Sequence, residues 1–408
     1  MPTETKPDRD VDRRLVVGAF GAAQILGWGT SFYFPAVFAT PIVADTGWSL
    51  GLVVSGTSIG LLVAGLISPA IGRAIDRHGA RPVLCASSLL FAAGLAGVGL
   101  APNVTTYLVA WAMIGLGMGA GLYDAVFAAL GQRYGHKARG PITSLTLFGG
   151  FSSTICWPLS AFMIEHTGWR AACLIYAGLH MLIALPLQFA VTGKRSAPRL
   201  NAETERKDVA PSLSPSMPVA KERRVFVLLA TILSLAAGIG SVVVVHFLIF
   251  LQARGVAETA AVTLGTLFGP AQVGARVIER LFGATYHPIW TMVACCLLMA
   301  FGLALILGHF PWLVVAILLY GAGYGISWIG RGTLPLALFG PVRFPRLIGK
   351  IAFPSLIVQA LAPSAGALAI ERFGVDATIG LLAGLAFLNV VLIALLWAMC
   401  RAQLRTES

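Results

Sequence analysis

The sequence predicts an all-α integral membrane protein with twelve transmembrane helices arranged as two pseudo-symmetric six-helix bundles. Three observations carry this. Of 408 residues, 57% are hydrophobic and only 11% charged, less than half the ~25% charged residues of a soluble domain. Twelve apolar runs are each long enough to cross a bilayer, which takes about 20 residues as helix. A single long polar interior segment, 193–223, divides those runs six and six.

In chain order the runs cover roughly 15–44, 49–72, 82–101, 104–131, 140–164 and 169–192, then 224–252, 259–280, 289–308, 311–339, 348–370 and 377–400. They are referred to below as spans one to twelve. The first is too long for a signal-peptide core and lacks a small-residue cleavage site, so it is expected to be retained. The chain thus divides into a polar N-tail (1–14), a first bundle (15–192), a linker rich in Pro and Ser (193–223), a second bundle (224–400) and a C-tail (401–408). The linker composition is that of a solvated segment.

Lys and Arg set the orientation. With the N-terminus in the cytoplasm, 25 of the 29 basic residues fall on that side; Arg170, Arg254 and Arg372 fall on the other, and Arg331 lies within span ten. This is the positive-inside pattern, so both termini are expected to be cytoplasmic. The net charge of +12 therefore reads as topology, with lipid as the surrounding medium and no nucleic-acid partner. The cysteines (Cys85, Cys156, Cys173, Cys295, Cys296, Cys400) sit in or beside apolar runs with no C-x-x-C and no histidine at ligand spacing, so neither disulfides nor a metal site are expected. A P-loop and a dinucleotide fingerprint are also lacking, so no cofactor is expected and ATP is not the direct energy source. Gly56-Thr57-Ser58-Ile59-Gly60 matches the G-x-S-x-G pattern of serine hydrolases. It lies inside a span rather than on a strand-to-helix elbow, and reads as small-residue helix packing.

The two halves repeat weakly. Glycines at 115, 117 and 119 in span four recur at 321, 323 and 325 in span ten, and the same offset of 206 pairs Glu165 with Glu371 and Gly168 with Gly374. Between spans two and three stands Gly72-Arg-Ala-Ile-Asp76-Arg77-His-Gly79-Ala-Arg81. Its glycines permit close helix approach and a tight turn, Asp76 can pair with an arginine or a helix N-terminus, and its arginines anchor the loop in the cytoplasm.

This segment resembles the G-x-x-x-D-R-x-G-R/K signature of the major facilitator superfamily, at the loop where that family carries it. The resemblance covers essentially the whole chain. Thr46-Gly47-Trp48-Ser49, Gly65-x-x-x-Pro69, Lys137-Ala138-Arg139-Gly140 and Gly168-Trp169-Arg170 look most like the monocarboxylate-porter branch. The G-P-x-x-G-G element of the drug antiporters is missing from span five, which reads FGGFSSTICWPLS. The resemblance implies a bacterial inner-membrane secondary transporter, monomeric, whose two halves rock about a midplane site lined by spans one, four, seven and ten.

Residue by residue, the cavity candidates are Gln24, Trp28, Tyr33, Tyr123, His246, Trp328 and Arg331, with Gln272 and Gln359 as outer possibilities. Aromatic rings offer stacking area with a polar handle, and an arginine stays charged when buried, so Arg331 is the leading residue for gripping an anion. Asp124 is the one carboxylate deep in an apolar run. The repeat offset carries it to Gly330, beside Arg331, so the two are expected to form a cytoplasmic gate; the alternative pairs Asp124 locally with Arg77 or Arg81. Proton coupling needs a group that changes protonation, for which Asp124, His180, His246 and Glu279, beside Arg276 and Arg280, are the candidates. The expected function is uptake of a small anionic or aromatic metabolite, a monocarboxylate or vitamin-like compound, with or without protons. The alternatives are drug or metabolite efflux and, more remotely, a membrane-embedded sensor or serine hydrolase.

Overall fold

A computed structural model describes residues 12–192, 219–309 and 311–404. The tails before Asp12 and after Leu404, and most of the expected linker, lie outside the described residues. Fifteen α-helices and no strand are present among those described. In chain order they are α1 (Arg13–Gly29), α2 (Pro35–Thr46), α3 (Leu50–His78), α4 (Ala80–Gly99), α5 (Val104–Gly121), α6 (Tyr123–Tyr134), α7 (Arg139–Gly150), α8 (Ser152–Leu179) and α9 (Leu185–Val191). The second half continues with α10 (Val219–Gln252), α11 (Glu258–Gly265), α12 (Phe268–Phe282), α13 (Pro288–Leu307), α14 (Leu313–Phe339) and α15 (Phe344–Leu404).

These helices make up the twelve spans. Two of them are two spans joined end to end: α8 turns back at Gly168 (φ 81°) and α15 at Gly374 (φ 84°). A left-handed φ is open to glycine at no steric cost, which is why this pair of repeat positions holds glycine. Spans one, four, five and eight are each broken into two helices, at residues 30–34, at Leu122, at Phe151 and at 266–267. Span six carries a π turn at His180–Ala184, just ahead of Pro186, whose missing N–H disturbs the helical ladder. Helix α10 begins at Val219, inside the stretch read as linker, and α15 runs on to Leu404 inside the stretch read as C-tail. Lys221 to Arg224 continue the register of the apolar run, and Glu222 is held by Arg343 at 2.7 Å.

Each half has its own hydrophobic core, one centred on Trp111, Phe91 and Tyr176, the other on Met292, Tyr320 and Cys296. The repeated glycines do the same work in each. Gly115 and Gly119 of α5 face α3, where a Cβ would meet Gly60 and Ile67, and Gly117 faces Phe91 of α4. Gly321 and Gly325 of α14 face α12 at Ala271 and Gln272, and Gly323 faces α13 at Cys295. Gly56 and Gly60, the ends of the serine-hydrolase-like pattern, lie against Trp111. Outward faces stay apolar: Leu182 and Phe373 are 79% and 72% exposed, as suits helices with lipid as their solvent.

The halves meet where α3 crosses the first part of α15, where α6 touches α15, and where α7 touches α12 and α14. All of this lies towards the end that carries the signature loop. At the closest crossing Gly72 faces Gly349: a Cβ on Gly72 would collide with the Pro345 carbonyl, and one on Gly349 with the Ser68 carbonyl. Gly349→Ala should therefore wedge this end apart while leaving each half folded. Spin labels at the exposed Arg73 and Lys350 should report a narrow short distance in the parent and a longer, broader one in the variant.

Candidate functional site

The broken spans bring aromatic rings together at the centre. Trp28, next to the break in span one, has its ring 5.0 Å from Tyr123 and 5.2 Å from Trp328, and the last two are 5.6 Å apart. Spans one, four and ten contribute one ring each. Tyr33 lies 6.4 Å from Trp28 and leads to Trp157 at 6.1 Å. Gln24 holds this arrangement: its Nε2 donates to the Gly121 carbonyl at 2.7 Å, and its Oε1 accepts from Trp28 Nε1 at 3.1 Å. The break at Leu122 makes that carbonyl available, because the N–H groups that follow belong to the uncapped first turn of α6. A small cavity beside the rings is lined by Trp28, Leu61, Ser68, Tyr123, Asp124 and Trp328.

Arg276 of α12 enters the same region from span eight. It is 3% exposed. Its Nε donates to the Gly325 carbonyl at 2.9 Å, its Nη1 crosses to the Thr146 carbonyl of the other half at 2.8 Å, and its Nη2 is 3.4 Å from Gln272 Oε1. Gly150 makes room for the guanidinium and Gly149 for the Tyr123 hydroxyl, which also donates to Thr146 at 3.3 Å. Every acceptor around Arg276 is neutral. Among the described residues it has no carboxylate within ion-pair distance.

Towards the signature end, three ion pairs join the halves. Asp124 and Arg331 form a bidentate pair, with Nε to Oδ1 and Nη2 to Oδ2 both at 2.8 Å and side chains 17% and 4% exposed. Asp76 of the signature loop accepts from Arg346 at 2.5 Å. Arg139 lies 3.6 Å from Glu279, which also accepts from the hydroxyls of Tyr286 and of Thr291, the latter at 2.7 Å. Burial and the neighbouring Glu279 push the Tyr286 phenol up to about 12, so it remains a donor. The flanking pairs are related by the internal repeat. In each, an acid at the end of span two or eight meets an arginine at the start of span eleven or five, in the opposite half.

A family model described as Major Facilitator Superfamily matches residues 19–286. The chain belongs to the major facilitator superfamily. It is 24% identical over 401 residues to the mouse monocarboxylate transporter 4, covering 93% of this chain and 83% of that one. Over a shorter stretch of 132 residues it is 29% identical to the niacin transporter NiaP of Acinetobacter baylyi, covering 32% and 28% of the two chains. The structure of the human organic anion transporter MFSD10 superposes with a TM-score of 0.69 at 15% identity, over 94% of this chain and 100% of that one. This superfamily member is a multi-pass membrane transporter and not an enzyme.

Within the superfamily fold, Gln24, Trp28, Tyr33, Tyr123 and Trp328 gather around the centre, next to the Asp124–Arg331 pair. The two histidines lie elsewhere. His246 donates through Nε2 to the Pro363 carbonyl at 2.9 Å, tying span seven to span eleven. His180 is packed inside the first half, with its Nε2 3.0 Å from Thr30. Gln359 is buried on span eleven, its carbonyl accepting from Ser241 at 2.8 Å, and Gln272 sits beside Arg276. Arg81 donates to the Phe189 carbonyl at 3.1 Å, and Gly79 turns the chain with φ 83°. Arg276 was counted from the sequence with the basic loop residues. It belongs to the interior because it faces the Gly149–Gly150 gap of span five, a neighbour 126 residues away in the chain. Arg346 escapes notice in the sequence, where it is one more basic residue at a helix start, and Arg139 is noted there only as part of Lys137-Ala138-Arg139-Gly140, with no partner assigned.

Breaking one partner of a buried pair strands a charge, which costs about 3–5 kcal/mol, whereas replacing both costs less. Asp124→Asn/Arg331→Gln should therefore melt above the worse of its two single variants, with a coupling of about 2 kcal/mol in a double-mutant cycle. The more exposed Asp76–Arg346 pair should couple by less than about 1 kcal/mol. Thermal melts of the detergent-purified protein measure both.

Proposed function

We propose that this transporter takes up a small planar carboxylate, gripping the carboxylate with Arg276 and the ring or chain between Trp28, Tyr123 and Trp328. The observation that carries the reading is a deeply buried guanidinium with no carboxylate within ion-pair distance among the described residues, sharing the Thr146 carbonyl with Tyr123 of the aromatic cluster. Burying an uncompensated charge is costly, and an anionic ligand removes that cost as it binds. Arg331, the leading anion grip from sequence, is satisfied by Asp124 and serves the gate instead. The resemblance to a monocarboxylate transporter and to a niacin transporter supports the same class, since niacin is an aromatic carboxylate. A hydrophobic cation, the typical cargo of drug efflux, would be repelled by Arg276.

The ion-paired end faces the cytoplasm of a bacterial cell and the described conformation is closed to that side. In support, 24 of the 29 Lys and Arg remain there once Arg276 is placed in the interior, as the positive-inside rule requires. Both termini are then cytoplasmic. Two bundles rocking about the central site suffice for alternating access in a monomer, and the solute, with or without a proton, supplies the drive.

Thermal shift with nicotinate, lactate and tetraphenylphosphonium tests this. A ligand at one hundred times its Kd stabilises the native state by about 2.7 kcal/mol, so a carboxylate should raise the melting temperature of the parent and leave Arg276→Gln unmoved. Gln272→Glu, which places a carboxylate beside Arg276, should weaken nicotinate binding about tenfold or more. Stabilisation by the cation alone would replace this reading with efflux.

A further inference from the structure

Span one is bent by a specific set of bonds. Helix α1 ends at Gly29, and after Thr30, whose N–H still reaches Leu26 at 2.9 Å, the regular ladder gives way to other bonds: Tyr33 N–H reaches back to Trp28 at 3.0 Å and Phe34 N–H to Ser31 at 3.2 Å, while Pro35 has no N–H to give. Thr30 and Ser31 turn their hydroxyls back onto the Leu26 and Gly27 carbonyls at 2.7 and 2.5 Å, a contact that bends helices. The bend turns Trp28 and Tyr33 towards the centre.

His180 meets this bend. Its Nε2 lies 3.0 Å from Thr30 Oγ1. The single hydroxyl proton of Thr30 is already given to Leu26, so the proton in this contact is on Nε2 and the imidazole donates. Its Nδ1 is then a bare acceptor, and it is buried with no partner, in a side chain 1% exposed. The ring stacks on Phe91 of α4 at 4.8 Å, 18° from parallel. Phe91 in turn fills the space that Gly27 of span one and Gly117 and Gly121 of span four leave open, with ring atoms within 4 Å of where each Cβ would stand. The π turn that begins at His180, closed by Leu185 N–H on the His180 carbonyl, is what brings the imidazole to this point. A widened turn in a helix shifts the residues after it out of the regular register.

We infer that His180 is a positioning residue which, through Thr30 and Phe91, sets the bends of spans one and four and so the spacing of Trp28, Tyr33 and Tyr123, without touching the transported solute. One side chain thereby links the only π turn among the described residues to the two helix breaks that shape the central site.

The inference rests on the transport reading only for its kinetic arm. Spin labels at Ala36 and Thr105, both exposed and both in the first half, report the bend of span one with no solute present. Thr30→Val keeps the shape and removes the hydroxyl; His180→Phe keeps a ring on Phe91 and removes the donor; His180→Gln can keep a donor at the Nε2 position. Thr30→Val and His180→Phe should each displace or broaden the label distance, the double variant should add nothing to the singles, and His180→Gln should stay close to the parent. In proteoliposomes the first two should raise the KM for nicotinate about tenfold, the loss of roughly one buried hydrogen bond, with kcat changed less, and His180→Gln should restore it. Unchanged label distances in Thr30→Val, or in a folded His180→Phe, would overturn the inference, leaving His180 as packing. Altered distances with no nicotinate transport even by the parent would uphold the brace and count against the substrate reading alone.

Discussion

In a bilayer, a backbone carbonyl that loses its helical partner has no water to bond instead, and this constraint organises the molecule. Irregular backbone at membrane depth survives only where protein groups take over the lost bonds. Span four can break at Leu122 because Gln24 reaches the Gly121 carbonyl. Span eleven can carry Pro363 because Ser241 donates to the Gln359 carbonyl, four residues back, which the proline leaves without its usual N–H. Span one can bend because Thr30 and Ser31 close onto the turn before them. The buried polar side chains of span one, Gln24, Thr30 and Ser31, have this task, and the central site is built from the side chains that the breaks release inward.

Charge is handled in a parallel way, with one exception. The arginines and acids at the signature end compensate each other across the halves, from the buried Asp124–Arg331 pair to the half-exposed Asp76–Arg346 pair. Moving the halves apart at this end must rehydrate or neutralise these groups, so the most buried pair governs the barrier and the exposed one adds little. Arg276 stands apart because its partners are carbonyl and amide oxygens, one of them in the opposite half. It therefore both contributes to the contact between the halves and keeps an unspent positive charge at the site. On the proposed reading, a ligand carboxylate that draws Arg276 from Thr146 would loosen that contact as it binds and so tie occupancy to movement.

The internal repeat accounts for how so few contacts serve the whole. The same glycine triplet packs span four on spans two and three and span ten on spans eight and nine, and the flanking ion pairs are images of one another. The images are unequal. Glu279 is enclosed by Tyr286 and Thr291 while Asp76 is more exposed to solvent, so the two flanking pairs differ in burial even though their geometry is shared.

Hydropathy and the six-plus-six division were legible in the sequence through composition and spacing, the signature loop and the nomination of Trp28 and Tyr123 came through the family resemblance, and the nearness of Asp124 to Arg331 through the repeat offset. Membrane spans are long local signals, and lipid forces one answer on them. The breaks within spans one, four, five and eight were not legible, because the bonds that stabilise them come from residues far along the chain, such as Gln24 for Gly121. Arg276 was hidden for the same reason: a basic residue at the end of an apolar run reads as a loop anchor, and only the gap at Gly149 and Gly150, supplied by the other half, turns it inward. His180 is only a candidate proton carrier in the sequence, and its contact with Thr30 comes from a helix 150 residues away in the chain. The sequence by itself determined which segments must leave water and where the charges can go; the tertiary structure decided which of those charges meet, because pairing depends on distances between helices that no local pattern encodes.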